Sequence, residues 1–210
     1  MTKRKISKLI AIMIIFIGIS LILFKLIYKV SLSETNANKV NDFFKKETTT
    51  SIVQTPIYDN VPLKDNPIKD VSKNTNYVAI LEIPSIKLKQ GLVNKNSKDN
   101  NVNKNIQILT TSDMPDKEKG NTILASHSGT SNISYFKKLD NVKNNDLIYF
   151  YYNNIKYTFK VSKIYKETKD GDIWIQKDNS KTTLTLTTCS SKDKNKQLVV
   201  ISYLISKDRY

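Results

Sequence analysis

Cysteine occurs once in this chain, at Cys189, so no intramolecular disulfide can form and the fold must rest on its core. Histidine also occurs once, at His127, and tryptophan once, at Trp174. Arginine occurs only at Arg4 and Arg209, so lysine carries nearly all of a formal charge of +15. Nucleic-acid readers rely on arginine's bidentate fork, and this chain is a poor reader of that kind. The lysines lie scattered among asparagines, the pattern of a solvated surface; attraction to an anionic membrane or wall polymer is the functional alternative. There is no internal repeat. A length of 210 residues allows one globular domain of ordinary size with appendages.

The one long apolar run lies near the N-terminus. Leu9 to Phe24 contains no charge, and Leu26-Ile27-Tyr28 continue it past Lys25. A membrane helix takes roughly 20 mostly apolar residues, with Lys25 snorkelling and Tyr28 at the interface. A cleaved signal peptide is the competing reading, with Ser31 and Ser33 near a weak cleavage point. Lys3, Arg4, Lys5 and Lys8 precede the run and favour a cytoplasmic N-terminus, although Lys25 and Lys29 reduce the asymmetry. The expected layout is a cytoplasmic tail over 1–8, a transmembrane anchor over 9–28, a stalk over 29–76 and a folded domain over 77–207. Within the stalk, Val40, Phe43 and Phe44 suggest a short helix over 33–47. Pro56, Pro62 and Pro67 exclude a long regular element after it.

From Tyr77 onward the signals are those of strands. Apolar or alternating runs cover Tyr77–Ile83, Asn121–Ser126, Asp146–Phe150, Tyr157–Tyr165, Ile173–Ile175, Thr182–Thr188 and Leu198–Ile205. Asn153-Asn154 predicts a tight hairpin turn, because asparagine tolerates positive φ. Ser134–Leu139 reads as a helical turn. The fold class is mostly β, a barrel or a sandwich.

Two strand ends carry the reactive side chains. In Thr182–Cys189, period-two alternation puts Leu184, Leu186 and Thr188 on one face and Thr183, Thr185, Thr187 and Cys189 on the other. The leucines claim the core, which turns Cys189 away from it. His127 closes the run Asn121–Ser126. A lone cysteine is commonly a buried inert residue and a lone histidine a loop residue, but a thiol and an imidazole at two strand ends can form a nucleophile–base pair.

These residues resemble those of the sortases, membrane-anchored cysteine transpeptidases of Gram-positive bacteria. Thr185-Leu186-Thr187-Thr188-Cys189 is similar to their Thr-Leu-x-Thr-Cys signature. Leu124-Ala125-Ser126-His127-Ser128-Gly129 resembles their histidine segment, with Ser126 where glycine is usual. Phe136 to Leu139 matches the Phe-x-x-Leu that follows, Ile80–Pro84 an Ile-x-Ile-Pro, and Gly120-Asn121-Thr122 a Gly-Asn-x. The resemblance implies an eight-stranded β-barrel with short helices behind the N-terminal anchor. It further implies that Cys189 attacks an LPxTG-like sorting signal on a secreted protein and holds it as a thioester. A peptidoglycan cross-bridge amine or a pilin lysine then takes the acyl group. His127 serves as acid and base, and the Ser190 backbone N–H as an oxyanion donor; Thr187, Thr188, Ser126 and Trp174 are the candidate substrate contacts. The chemistry calls for no metal or other cofactor, and no nucleic acid is an expected partner.

One position departs from the family pattern. Sortases place an arginine before an apolar run on the strand after the cysteine; here the run is Leu198-Val199-Val200 and the residue before it is Gln197. Four readings stand open. Gln197 takes the arginine's place with an uncharged amide; Lys196 supplies charge, though it points the other way on a regular strand; Arg209 folds back; or the correspondence slips in the loop from Ser190 to Lys196. A lost oxyanion donor costs on the order of 3–4 kcal/mol, which motivates two alternatives to the enzyme, a sortase-fold peptide-binding module without turnover and a basic, membrane-tethered domain that binds wall polymer. Among weaker candidates, Asp113 and Asp116 could orient the histidine, and Asp170, Asp172 and Asp178 could suggest a calcium loop, although turn chemistry accounts for Asp170-Gly171. Trp174 belongs either to the substrate cleft or to the core.

Overall fold

A computed structural model of the chain describes residues 3–52, 77–169, 173–190, 193 and 195–210. The stalk expected beyond Ile52 and the turn expected at Asp170-Gly171 lie outside the described residues. The chain divides into two units, Met1–Asn38 and Lys39–Tyr210.

The first unit is helical. Helix α1 spans Lys3–Ile52, so the short helix expected over 33–47 is part of a longer one. The large apolar side chains described from Ile12 to Tyr28 are all exposed. Among the described residues no helix is long and apolar enough to cross a membrane.

In the second unit, β1 (Tyr77–Ile83), β2 (Leu88–Val93), β3 (Gln107–Ile108), β4 (Asn121–Ala125), β5 (Leu147–Tyr152), β6 (Ile155–Thr168), β7 (Thr183–Cys189) and β8 (Lys196–Arg209) form one sheet. Its order is β2-β1-β5-β6-β8-β7-β4-β3. The two outer strands approach each other at the seam, where Gln90 on β2 donates to Asn105 Oδ1 just before β3. The result is a nearly closed barrel. Short 3₁₀ turns at Pro84–Ile86 and Leu139–Asn141 are the helical elements described within it. The β5–β6 connection is the predicted tight turn: Asn153 and Asn154 take φ of 52° and 59°, as a type I′ hairpin requires.

Alternation explains the core. Leu81, Ile83, Leu124, Ile148, Phe150, Phe159, Leu184, Leu186, Leu198 and Val200 point inward and form one buried cluster. The last part of α1 packs on the outside, where Val40 and Phe43 bury Ile80. Phe44 meets Tyr151 and Tyr210 edge to face, and Lys89 lies over the Phe44 and Tyr151 rings. Glu47 accepts the Asn154 N–H at the hairpin and the Tyr210 hydroxyl.

One predicted strand is not a strand. Ile173–Ile175 runs outside the sheet, held by the Tyr165 hydroxyl, which donates to Trp174 O at 2.6 Å and accepts from the Gln176 N–H at 2.9 Å. A side-chain hydroxyl replaces the ladder there, and three apolar residues were too short a run to reveal it.

Candidate active site

Burial along β7 ends at one residue. Leu184 and Leu186 enter the core, while Thr183, Thr185 and Thr187 on the opposite face are also buried; Cys189 alone is exposed. The thiol is free and open to solvent, on the face that alternation predicted.

The parallel β4–β7 ladder brings His127 beside it. Ala125 pairs with Thr187; Cys189 stands two positions further along β7, and His127 two positions past Ala125, beyond the end of β4. The Ser126 N–H donates to Thr187 O at 3.3 Å, and Thr188 Oγ1 donates to Ser126 O at 2.6 Å, so the two chains stay side by side beyond the end of β4. Neighbouring strands lie about 4.8 Å apart, and Cys189 leaves β7 on the face opposite Leu184 and Leu186. The Phe-x-x-Leu segment secures the histidine from behind: the buried Phe136 donates its N–H to His127 O at 3.1 Å. Among the described residues no hydrogen bond joins Sγ to the imidazole. Nε2 instead lies 3.1 Å from Asn103 Oδ1.

On the other side of Cys189 stands Gln197, its direct partner across the antiparallel β7–β8 ladder. Cys189 thus stands between its ladder partner Gln197 and the segment that leads from β4 to His127. Hydrogen-bond direction fixes the glutamine amide. Thr187 Oγ1 donates to Leu198 O at 3.2 Å, a carbonyl that can only accept, so toward Gln197 it presents a lone pair. Gln197 Nε2 donates to it at 2.8 Å. An amide nitrogen carries two protons, and the second remains for another acceptor.

Register removes one of the four readings of this position. Arg209 pairs with Ile155 at the opposite end of β8 and cannot fold back. Gln197 falls opposite the cysteine, and the Ser190 N–H donates to Lys196 O across the turn. Lys196 pairs with Thr168 and its Nζ lies 3.9 Å from Asp193.

Other predicted residues are placed differently from expectation. The Ser190 N–H already donates to Lys196 O at 2.9 Å, closing the β7–β8 turn. Thr187, Thr188 and Ser126 are buried, so their side chains brace the strand ends and do not line an open surface. Ser126 Oγ has no hydrogen-bond partner among the described residues. Trp174 is 75% exposed and is not a core residue.

Asp113 and Asp178 make structural contacts, while Asp170 and Asp172 lie outside the described residues. Asp113 pairs with Lys117 at 2.6 Å and accepts the Asn121 N–H at the start of β4, the far end of that strand from His127. The Lys117 hydrogen bond holds its carboxyl below the usual range. Asp116 is exposed and acts at a distance on Tyr157. Asp178 accepts from Ser180, whose side-chain and backbone hydrogen bonds hold its carboxyl down to about 2. Among the described residues no group of acidic, histidine or cysteine side chains could hold a metal ion.

Sequence reasoning missed Asn103. It lies 24 positions before the histidine in a loop crowded with asparagines, and no local pattern distinguishes it from its neighbours.

The comparisons agree with this fold. The family model for the Sortase domain matches residues 81–205, from within β1 to within β8. Sortase C1 from Streptococcus agalactiae is 26% identical, with a TM-score of 0.54 over 66% of this chain and 72% of that one. A sortase C from Clostridium perfringens, solved with the C-terminal cell wall sorting motif, is 22% identical with a TM-score of 0.54, over 63% of this chain and 72% of that one. A sortase D5 transpeptidase from Clostridium perfringens is 18% identical with a TM-score of 0.56, over 83% of this chain and 98% of that one. No curated protein matches the chain. The two likenesses below 25% identity speak for the barrel, while the family model covers most of the second unit, including His127 and Cys189; the chain belongs to the sortase family.

Proposed function

We propose that the protein is a cysteine transpeptidase acting on an LPxTG-like sorting signal, with Cys189 as nucleophile and His127 as acid and base. The observation that carries this reading is the exposed Cys189 on β7, with Gln197 opposite it on β8 and His127 just past the end of the other neighbouring strand, β4. The Cys189 thiolate attacks the threonine carbonyl, a C–S bond forms, and the Thr–Gly C–N bond breaks. His127 gives its proton to the departing amine. An incoming amine then attacks the thioester, passes a proton to His127 and releases the thiolate. The thioester conserves the energy of the cleaved bond, so no nucleotide is consumed.

Gln197 fits the task of uncharged oxyanion donor, because Thr187 fixes which end of its amide faces the cysteine strand. The Ser190 N–H fits only once its bond to Lys196 O is released. Trp174, exposed on the β6–β7 connection, offers an apolar surface for the peptide.

The substrates on this reading are secreted proteins carrying the sorting signal, and the acceptor is a cell-wall cross-bridge amine or a pilin lysine. The C. perfringens sortase C solved with a sorting motif supports that choice of substrate. A single-pass anchor over 9–28 with a cytoplasmic tail over 1–8 rests on the sequence alone, on the uncharged run Leu9–Phe24 and the cations before it, since no helix among the described residues is long and apolar enough to cross a membrane. The exposed apolar side chains from Ile12 to Tyr28 favour a lipid setting. A stalk over 29–76 then carries the catalytic barrel, 77–207, outside the cell.

Incubation with a sorting-signal peptide, followed by intact-mass measurement, tests the reaction. The wild-type protein is expected to gain the mass of the acyl fragment and Cys189→Ala to gain nothing. Equal gain in both would refute the thioester. A second reading, a peptide-binding module without turnover, is favoured by the uncharged Gln197 and the engaged Ser190 N–H. Saturable peptide binding with no acyl-enzyme over long incubation would establish it.

A further inference from the structure

We infer that Asn103 is the positioning residue for His127, so that the site is a cysteine–histidine–asparagine arrangement assembled from three separate segments. This rests on the reading of Cys189 and His127 as the reacting pair. The carbonyl oxygen of Asn103 lies 3.1 Å from Nε2, and an amide oxygen can only accept. Nε2 therefore carries the proton, and in the neutral ring the lone pair sits on Nδ1. Asn103 thereby decides which nitrogen takes and returns the proton at the thiol, and it stops the ring from turning away. The same division of labour recurs in unrelated cysteine hydrolases that orient their histidine with an asparagine.

The loop that carries Asn103 is built to hold it. Asn100 is buried; its Nδ2 donates to Lys95 O and Ile108 O at 2.9 and 2.8 Å, and its Oδ1 accepts the Ile108 N–H at 2.8 Å. Asn105 Oδ1 accepts from the Ile106 N–H and from Gln90 Nε2, which ties the loop to β2. Asn101 Oδ1 accepts the Asn103 N–H at 3.1 Å, and its carbonyl accepts from Lys104 and Asn105. Three asparagines spend their amides on the loop itself, while the exposed Asn103 spends its own on the histidine. Lys104, next in the chain, is engaged by Asp99 at 2.7 Å. The orienting partner is thus a neutral amide, which fixes direction without adding charge.

The test uses the full chain in detergent micelles. His127 is the only histidine, so ¹⁵N-histidine labelling gives a single ring whose tautomer and titration midpoint are read directly by NMR. The wild-type ring is expected to hold its proton on Nε2 above its midpoint. Asn103→Ala should give a mixture of tautomers and slow Cys189 alkylation and peptide acylation by about tenfold or more. Asn103→Asp should restore the Nε2–H tautomer and raise the midpoint, since a carboxylate favours the imidazolium. Thermal melting should be unchanged in both, because the side chain is exposed. An identical tautomer and midpoint in all three proteins would overturn the inference. Tautomer changes as described, in a protein that never forms an acyl-enzyme, would instead overturn the proposed reaction and leave the role of Asn103 standing.

Discussion

Gln197 stands directly across the β7–β8 ladder from Cys189, and its amide donates to Thr187, two residues before the cysteine on the same strand. A charged guanidinium at this place would attract the developing oxyanion by Coulomb force as well as by hydrogen bonds. The amide has only its dipole, so its orientation matters more, and Thr187 supplies that orientation from the buried face of β7.

If that amide stabilises the tetrahedral intermediate, Gln197→Ala should slow acylation by about a hundredfold or more. Thr187→Val, which leaves the glutamine in place without its acceptor, should cost less. Single-turnover acylation with a sorting-signal peptide measures both. Unchanged rates in Gln197→Ala would remove Gln197 from the mechanism.

Phe136 links the core to the histidine. Its ring is fully buried and its N–H holds His127 O. Phe136→Ala should lower unfolding stability by about 3–5 kcal/mol. Because the same turn holds the histidine backbone, Cys189 alkylation should also lose part of its dependence on His127. Urea unfolding and alkylation kinetics check the two effects; a stability within about 1 kcal/mol of wild type would show that this segment is not held by its ring.

Glu47 makes stability depend on pH. Burial pushes its carboxyl above 4.5, and the Asn154 and Asn153 N–H groups only partly oppose that. The folded state therefore holds this proton to higher pH than the unfolded chain does, and stability falls as pH rises from 4.5 through the raised value. Glu47→Gln keeps an acceptor for Asn154 and removes the charge. Its stability relative to wild type should increase as pH rises across that window and then level off. Urea midpoints taken across the acidic range are the measurement; a relative stability that decreases with pH would contradict the sign.

Much of the barrel was legible from spacing alone. β1 covers the predicted Tyr77–Ile83, and the Asn153-Asn154 turn takes the positive φ values that the residue type allows. Two-residue β3 was invisible, since Gln107-Ile108 is too short to show a period. Ile173–Ile175 misled because apolar residues beside a turn read alike whether the ladder or a tyrosine hydroxyl holds them. At the site, alternation predicted the open side of Cys189. It did not reveal that Thr187, on that same face, is buried, because burial of the outer face depends on what packs there.

The residue order by itself determined the strand faces, the exposed thiol at a strand end and the histidine at another, because side-chain direction in a strand follows from a period of two. Only the folded sheet decided that these ends are neighbours, that Gln197 and not Arg209 flanks the sulfur, that Ser190 has already spent its N–H, and that Asn103 meets the imidazole. Those are pairings between segments far apart in the chain, and hydrogen-bond register across a barrel leaves no local trace in composition or spacing.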